Sequence, residues 1–266
     1  MTQNLNGPLS EEARVADRRW DFSYEGFSPS SGPQTIQRQW PSYDPIMKVT
    51  DAKMRCNGGT SAPLNATVKA GDSVVAKWKQ WTHEQGPVMV WLYKCAGDFK
   101  SCDGSQKGWF KIDQMGMTAP PLSGKAWGNG IIYSKKQWES KIPASLAPGN
   151  YLIRHELIAL HQANTPQFYP ECAQITVTGS GTASPGAAYL ASIPGYAPQN
   201  DPGITVSLPR PALFLSSFAN FVVEIHVTDA RIQVDTYASG ATTYKCPGPD
   251  VWTGAAAAKK ARDFTA

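Results

Sequence analysis

The sequence predicts an all-β protein, because its composition disfavours helices and favours short strands. Glycine (23 residues) and proline (21 residues) are both frequent among the 266 residues, while charged residues make up only 17%. Segments with helical periodicity are scarce, and short β-rich runs are separated by Pro, Gly, Asn and Ser. Many short strands with such turns between them are typical of a β-sandwich or a barrel.

The strands themselves are predicted from apolar runs between turn residues. Ser73–Trp78 alternates like a half-buried strand, and Val88–Tyr93 is apolar enough for burial on both faces. Tyr151–Leu160 and Phe168–Thr178 are the clearest strands, and the short connection Gln162–Pro166 predicts a hairpin. Two weaker predictions are a strand over Gly108–Ile112 and a helical turn around Trp138, within Lys135–Ile142.

One domain is predicted over residues 41–254. Residues 1–40 are polar and unpatterned, which predicts a largely disordered segment, and they contain no apolar stretch typical of a signal peptide. Residues 207–233 form an apolar insert unlike the rest, and residues 255–266 form a tail. We hypothesise a retained intron at the insert and an incorrect first exon before residue 41. Finding the insert in mature transcripts would reject the intron hypothesis.

Charge and hydropathy exclude two classes of partner. The net charge of +4 is modest, and no Lys/Arg run is long enough to predict nucleic-acid binding. No apolar run approaches the roughly 18 residues that a membrane span requires. A neutral polymer is at least as compatible with this composition as an anionic partner.

The five cysteines indicate an extracellular protein rather than a zinc protein. Cys56 and Cys172 lie far apart, Cys95 and Cys102 lie close together, and no CxxC spacing is present. Disulfides in an oxidising compartment are the better interpretation. The sequon that begins at Asn65 predicts N-glycosylation and agrees with secretion, although no signal peptide is present at the start of the sequence.

Any histidine metal site must use His83, His155, His161 or His226, since the sequence contains no others. His83 lies in a loop between two predicted strands, where functional residues are common, although an ordinary exposed histidine fits that position equally well. His161 ends one strand of the predicted hairpin. His226 lies in the insert and is assigned no role.

Residues at the hairpin end could form a polar site with His161. Gln167 and Tyr169 begin the second strand and share a sheet face, because they are two residues apart. A His, a Gln and a Tyr at one hairpin end could hold a metal ion or a dioxygen species. The alternative is a cross-strand polar pair beside an ordinary strand tyrosine.

His155 is not expected to share a metal with His161, because six strand residues span roughly 20 Å. The spacing also differs from the helical HExxH pattern of zinc proteases. Arg154 and Glu156 share a sheet face and are predicted to form a structural ion pair. No nucleophile elbow, phosphate loop or pair of catalytic carboxylates is recognisable, so a classical glycosidase is not supported.

Several strings, in order, resemble the fungal lytic polysaccharide monooxygenases of auxiliary-activity family 9 (formerly glycoside hydrolase family 61). They are residues 70–89, which include Trp81-Thr82-His83 and Gly86-Pro87, then Tyr151–Cys172, residues 175–179, residues 201–204 and residues 247–249. The resemblance covers about residues 42–206 and 234–254.

This resemblance implies a fibronectin/immunoglobulin-like β-sandwich with long loops, a flat substrate face and a copper ion. His83 would be the internal copper histidine, and Tyr169 would be the more distant axial ligand. His161 and Gln167 would be the pair outside the ligands that positions the oxygen species. Imidazole suits copper, and such outer groups tune a bound metal. Tyr237 is the candidate for binding cellulose on the flat face, and the alternative is that its side chain packs in the core.

The implied reaction is the oxidative cleavage of β-1,4-glucan at C1 or C4. It would use an external electron donor with oxygen or hydrogen peroxide, in a secreted, monomeric protein. The resemblance also pairs Cys56 with Cys172 and Cys95 with Cys102, and leaves Cys246 unpaired.

One feature departs from the family pattern. The mature chains of the family begin with a histidine that completes the copper site, whereas the first histidine here is His83. A copper monooxygenase is the first interpretation, and a non-catalytic homologue that binds polysaccharide or handles copper is the alternative.

Overall fold

The computed structural model describes residues 19–24, 35–121, 124–162, 165–204 and 242–254. Within these ranges it contains eight strands and one α-helix. They are β1 (Arg19–Tyr24), β2 (Ala66–Lys69), β3 (Ser73–Trp78), β4 (Val88–Lys94), β5 (Trp109–Met115), α1 (Gly128–Lys135), β6 (Gln137–Lys141), β7 (Gly149–Ala159) and β8 (Gln167–Thr178). Short 3-10 turns occupy Ala52–Met54 and Ala187–Tyr189. No helix in the described ranges is long and apolar enough to cross a membrane.

The strands form two sheets. One has three strands in the order β1-β3-β6, and the other has five strands in the order β2-β8-β7-β4-β5. Strands β1 and β2 run parallel to β3 and β8, respectively, and the other pairs are antiparallel. The prediction of an all-β sandwich is confirmed.

Two apolar clusters stabilise the fold, one on each face of the five-stranded sheet. The first lies between the sheets, where Val74 and Trp138 of the smaller sheet pack with Val90, Ile153 and Ile175 of the larger one. The second lies on the opposite face, under the long loops. Its members include Trp91, Leu152, Ile46, Ile193 and Trp127. Strand β4 is therefore buried on both faces, as its apolar run predicts.

The strands predicted from Ser73, Val88, Gly108, Tyr151 and Phe168 onward are all present, and β7 and β8 pair along their whole length as a hairpin. The helical turn predicted around Trp138 is wrong. The helix ends at Lys135, and Gln137–Lys141 forms β6, which pairs with β3. Its residues are alternately exposed and buried, which is the two-residue period of a strand.

The segment before residue 41 contains one of the described strands. Arg19–Tyr24 forms β1, which covers an edge of β3 that would otherwise be unpaired. Gln37 forms a bridge to Ala173. The sequence signal for β1 is the alternation of Trp20, Phe22 and Tyr24. Residues 1–18, the insert 207–233 with His226, Tyr237 and the tail 255–266 lie outside the described residues.

Both disulfides implied by the family resemblance are present. Cys56–Cys172 joins residues 116 positions apart, and Cys95–Cys102 closes a loop of seven positions. In the chain-entropy model, closing a loop of about 100 residues stabilises a fold by about 4.7 kcal/mol. Cys246 is unpaired and buried, and burial raises the pKa of its thiol to about 12.

Candidate functional site

Two loops that carry the candidate site residues meet at one end of the sandwich. Strand β4 begins at Val88, after the loop that contains His83, and Val88 pairs with Leu157 of β7. Leu157 in turn pairs with Tyr169 of β8. His83, the end of β7 and the beginning of β8 are therefore neighbours across three strands.

The loop of His83 is attached to the end of β7 by its main chain. Leu160 N–H donates to the carbonyl of Gln85 over 3.1 Å. Gly86 has a φ of +127°, and a Cβ at this position would lie 1.8 Å from the carbonyl oxygen of Ile158, so only glycine fits. The same carbonyl accepts a hydrogen bond of 2.9 Å from the side chain of Asn129 in α1. These contacts fix the loop beside His161.

Four rings form a compact group that we call the ring cluster: Trp81, His83, His161 and Tyr169. The imidazoles of His83 and His161 stack with centroids 4.4 Å apart and planes 8° apart. The indole of Trp81 stands edge-on to both His83, at 5.2 Å, and Tyr169, at 5.0 Å. Trp81 is only 7% exposed, so it forms the floor of the cluster.

Hydrogen bonds connect the ring cluster to Gln167. The hydroxyl of Tyr169 donates to Oε1 of Gln167 over 2.8 Å. Nε2 of His83 lies 3.1 Å from the same hydroxyl oxygen. Since the hydroxyl has one proton and gives it to Gln167, the His83 tautomer that completes this network carries a proton on Nε2.

Burial keeps the ionisable rings of the cluster neutral near pH 7. The pKa of His83 is lowered by burial and further by the neighbouring His161, whose own pKa is lowered by burial. Burial, with a smaller contribution from the charge of Asp44, raises the pKa of Tyr169 to about 12. The cluster thus presents two neutral imidazoles and a neutral phenol, and neutral imidazole is the form that binds metal ions.

Two polar atoms of the cluster are buried without a hydrogen-bond partner among the described residues: Nδ1 of His161 and Nε1 of Trp81. The described part of the chain contains no group of three or more His, Cys, Asp or Glu side chains that could hold a metal ion. The donors that it brings together here are His83 and Tyr169.

His155 is separate from the cluster, as expected. It is fully buried in the sandwich, where its ring meets Trp78 edge-on at 6.0 Å. Burial lowers its pKa to about 3. The predicted ion pair between Arg154 and Glu156 is confirmed, with Nη1 and Oε2 2.6 Å apart and both side chains buried.

The structure thus brings together the four residues that the sequence singled out, His83, His161, Gln167 and Tyr169. Sequence reasoning missed the contribution of Trp81. The available signal was its position two residues before His83 in the string Trp81-Thr82-His83.

The chain is similar to known proteins over most of its length. The profile of Auxiliary Activity family 9 (formerly GH61) matches residues 14–213. AA9 family lytic polysaccharide monooxygenase D from Thermothelomyces thermophilus is 49% identical over 254 residues, which cover 91% of this chain and 87% of that protein. AA9 family lytic polysaccharide monooxygenase B from Heterobasidion irregulare is 42% identical, with 87% of each chain covered.

Solved structures agree. A cellulose-active polysaccharide monooxygenase from M. thermophila has a TM-score of 0.71 and 48% identity, with 88% of this chain and 93% of that chain covered. The structure of HiLPMO9B gives a TM-score of 0.72 at 40% identity, with 87% and 93% covered. The alternative of a non-catalytic homologue is not favoured by these similarities. The chain belongs to Auxiliary Activity family 9, the lytic polysaccharide monooxygenases.

Proposed function

We propose that the protein cleaves β-1,4-glucan, with cellulose as its substrate, by copper-dependent oxidation at the ring cluster. The observation that carries this proposal is the meeting of His83, His161, Gln167 and Tyr169 at one end of the sandwich. A cellulose-active relative with the same fold supports the choice of substrate.

The donors of the ring cluster fit copper. Nε2 of His83 and the hydroxyl oxygen of Tyr169 lie 3.1 Å apart, close enough for both donors to face one small metal ion. Imidazole nitrogen is a preferred copper ligand. Binding through Nε2 would require the His83 proton to move to Nδ1. When bound, copper would supply the one-electron oxidation chemistry, driven by an external electron donor with oxygen or hydrogen peroxide.

Tyr169 acts as a neutral phenol in this proposal. A pKa of about 12 keeps its proton in place at physiological pH, so it contributes a weak oxygen donor without adding negative charge. Gln167 holds that proton through Oε1, which orients the hydroxyl oxygen toward His83. The side-chain amide of Gln167 thereby fixes the geometry of the more distant ligand.

His161 is the group that can exchange a proton beside the site. Its ring lies against His83, and its buried Nδ1 has no partner among the described residues. We propose that His161 and Gln167 orient the oxygen species by hydrogen bonds and exclude other orientations. Trp81 differs from these two residues, because it contacts the rings of His83 and Tyr169 through its indole ring.

A polysaccharide would lie over the exposed surface next to the ring cluster. Tyr43 is 68% exposed and precedes Asp44, whose charge acts on Tyr169. An exposed aromatic ring beside a site suits the apolar face of a sugar. We therefore propose Tyr43 as a substrate-binding residue. Tyr237, the residue predicted from the sequence for this role, lies outside the described residues.

We also propose that the protein is secreted and acts as a monomer. Its two disulfides are typical of an oxidising compartment. Asn65 of the sequon is exposed directly before β2, where its side chain donates to Thr176, and it is proposed to carry an N-glycan.

Product analysis tests the proposed function. Protein stripped of metal and reloaded with copper is incubated with cellulose, a reductant and isotopically labelled oxygen or peroxide. We expect cello-oligosaccharides oxidised at C1 or C4 that carry the label, and none without copper. Unlabelled products with ordinary reducing ends would contradict the proposal. N-terminal sequencing of the secreted protein would show whether a histidine supplies the remaining copper ligands.

A further inference from the structure

Lys136 contacts both ends of the segment that leads from β3 to the ring cluster. Its main-chain oxygen accepts a hydrogen bond of 2.8 Å from the N–H of Trp78, the last residue of β3. Its Nζ donates to the carbonyl of Trp81 over 3.2 Å. The same Nζ donates to the carbonyl of Tyr133 and lies 4.6 Å from the centre of the Tyr133 ring. The lysine side chain is therefore held from two directions.

Trp81 transmits this contact to the proposed ligands. Its carbonyl binds Lys136, and its buried indole stands edge-on to His83 at 83° and to Tyr169 at 87°. A shift of the Trp81 main chain would therefore move the surface on which both rings rest.

The backbone of Lys136 indicates that its side chain has a role beyond ending the helix. Lys136 follows α1 in the left-handed conformation, with a φ of +55°, a position that glycine usually occupies. A residue with a side chain is strained there, and such strain persists where the surrounding structure requires it. The helix end alone would be formed at least as well by glycine.

We propose that Lys136 is a positioning residue for the monooxygenase site, which holds Trp81 and thereby the relative placement of His83 and Tyr169. The inference rests on the proposed function of these two residues as copper ligands. In this proposal a partly buried residue at the helix end, 55 positions away in sequence from Trp81, controls the geometry of the site.

The variant Lys136→Gly separates positioning from helix capping. Glycine keeps the main-chain bond to Trp78 and adopts the left-handed conformation without strain, so only the Nζ contacts are lost. Lys135→Ala is the matched control, because it removes the same charge from the adjacent, exposed position. Lys136→Arg tests rescue, because a guanidinium can still donate to the Trp81 carbonyl.

Two measurements on the full-length protein decide the proposal. In the metal-free protein, nuclear Overhauser effects between the indole of Trp81 and the rings of His83 and Tyr169 report the packing directly. Calorimetric titration of the same metal-free protein with Cu(II) gives the copper affinity. We expect Lys136→Gly to keep its Tm, to weaken the Overhauser effects and to lower copper affinity about tenfold, the low end for outer partners of metal ligands. Lys135→Ala should match wild type, and Lys136→Arg should recover most of both signals.

Unchanged Overhauser effects and copper affinity in a folded Lys136→Gly protein would overturn the proposal and leave Lys136 as a helix end. If Lys136→Gly does not fold, Lys136→Asn is measured instead, since asparagine also tolerates this conformation. Failure of both variants to fold would also overturn a specific positioning role. Wild-type protein that does not bind copper would contradict the proposed function, while the Overhauser effects would still decide the role of Lys136.

Discussion

Strand β7 carries two polar regions that are built in opposite ways. Near its middle, Arg154 and Glu156 are fully buried and form an ion pair. The Glu156 carboxylate also accepts hydrogen bonds from Trp91 over 3.2 Å and from Tyr196 over 2.9 Å. The Arg154 guanidinium also donates to the carbonyl of Met54, so each contact compensates a charge. We use the name ionic cluster for the side chains of Trp91, Arg154, Glu156 and Tyr196. At the end of β7, the ring cluster is neutral and partly open.

The difference explains which region can react. Buried charges are tolerated when hydrogen bonds compensate them, and such groups have no spare capacity for a ligand. The ring cluster instead keeps Nδ1 of His161 and Nε1 of Trp81 without partners among the described residues. The ionic cluster is therefore expected to hold the fold, and the ring cluster is expected to bind and react.

Breaking the ionic cluster should have the largest effect on stability. Arg154→Met leaves the Glu156 carboxylate buried without its cation, and loss of one partner from a buried pair costs about 3–5 kcal/mol. Denaturant unfolding measures this loss. Arg154→Met combined with Glu156→Leu should recover much of it, because no buried charge then remains. A single variant as stable as wild type would contradict the assignment.

Removing the ring of His83 should damage binding and leave stability nearly intact. We expect His83→Ala to lower Cu(II) affinity more than about 100-fold, above the effect of outer partners. Its free energy of unfolding should change by less than about 1 kcal/mol, because the side chain is only partly buried. Calorimetry measures the Cu(II) affinity, and denaturant unfolding measures the free energy of unfolding. Gln162→Ala in the neighbouring hairpin is the control. Retained copper affinity would refute the role of His83.

His155 is a buried imidazole that lies outside both the ionic cluster and the ring cluster. Its folded pKa of about 3 lies below the unfolded value near 6.5, so the unfolded chain binds the extra proton. This contribution to stability is complete above pH 6.5 and is lost as the pH falls toward 3. Between pH 6.5 and 4.5 we expect it to fall by about 2.5 kcal/mol. Denaturation series for wild type and His155→Gln should differ in slope over this range, and equal slopes would disprove the assignment.

The smallest expected effect concerns the substrate. Tyr43→Ala should weaken cellulose binding about threefold to tenfold, the size of an aromatic contact of about 0.5–1.5 kcal/mol. Copper affinity should not change, because the Tyr43 side chain is not a proposed ligand. Pull-down isotherms on cellulose measure the effect. Leu64→Ala is the control, because Leu64 is also an exposed apolar residue but precedes the edge strand β2. Equal losses in both variants would argue against a specific role for Tyr43.

The strands and the pairs of residues on one sheet face could be predicted from the sequence, because both depend on local periodicity. Strand β8 and its hairpin follow from apolar alternation, and the two-residue spacing places Gln167 and Tyr169 on one face. The same parity predicts the pair of Arg154 and Glu156. The contact between His83 and this hairpin could be predicted only from the family resemblance. No local sequence pattern indicates how the loop before β4 packs against β7.

Contacts between distant segments were not predictable from such patterns. Helix α1 begins with Gly128-Asn129-Gly130, residues with low helix propensity, and its packing against the loop of His83 is a tertiary effect. No sequence pattern marks Lys136. Its proposed positioning role depends on its left-handed backbone conformation and on the Trp81 carbonyl, 55 positions away in sequence. Strand β1 was missed because its alternation is short and is stabilised by pairing with β3.

Copper binding at the ring cluster is tested by the electron paramagnetic resonance spectrum of the protein with one equivalent of Cu(II), compared with the spectra of His83→Ala and His161→Ala. We expect the wild-type spectrum to show coupling of copper to imidazole nitrogen and the His83→Ala spectrum to lose the coupling due to His83. The His161→Ala spectrum should be altered but should still show copper bound to the protein. A wild-type spectrum unchanged by His83→Ala would show that copper binds elsewhere and would contradict the ring cluster as the monooxygenase site.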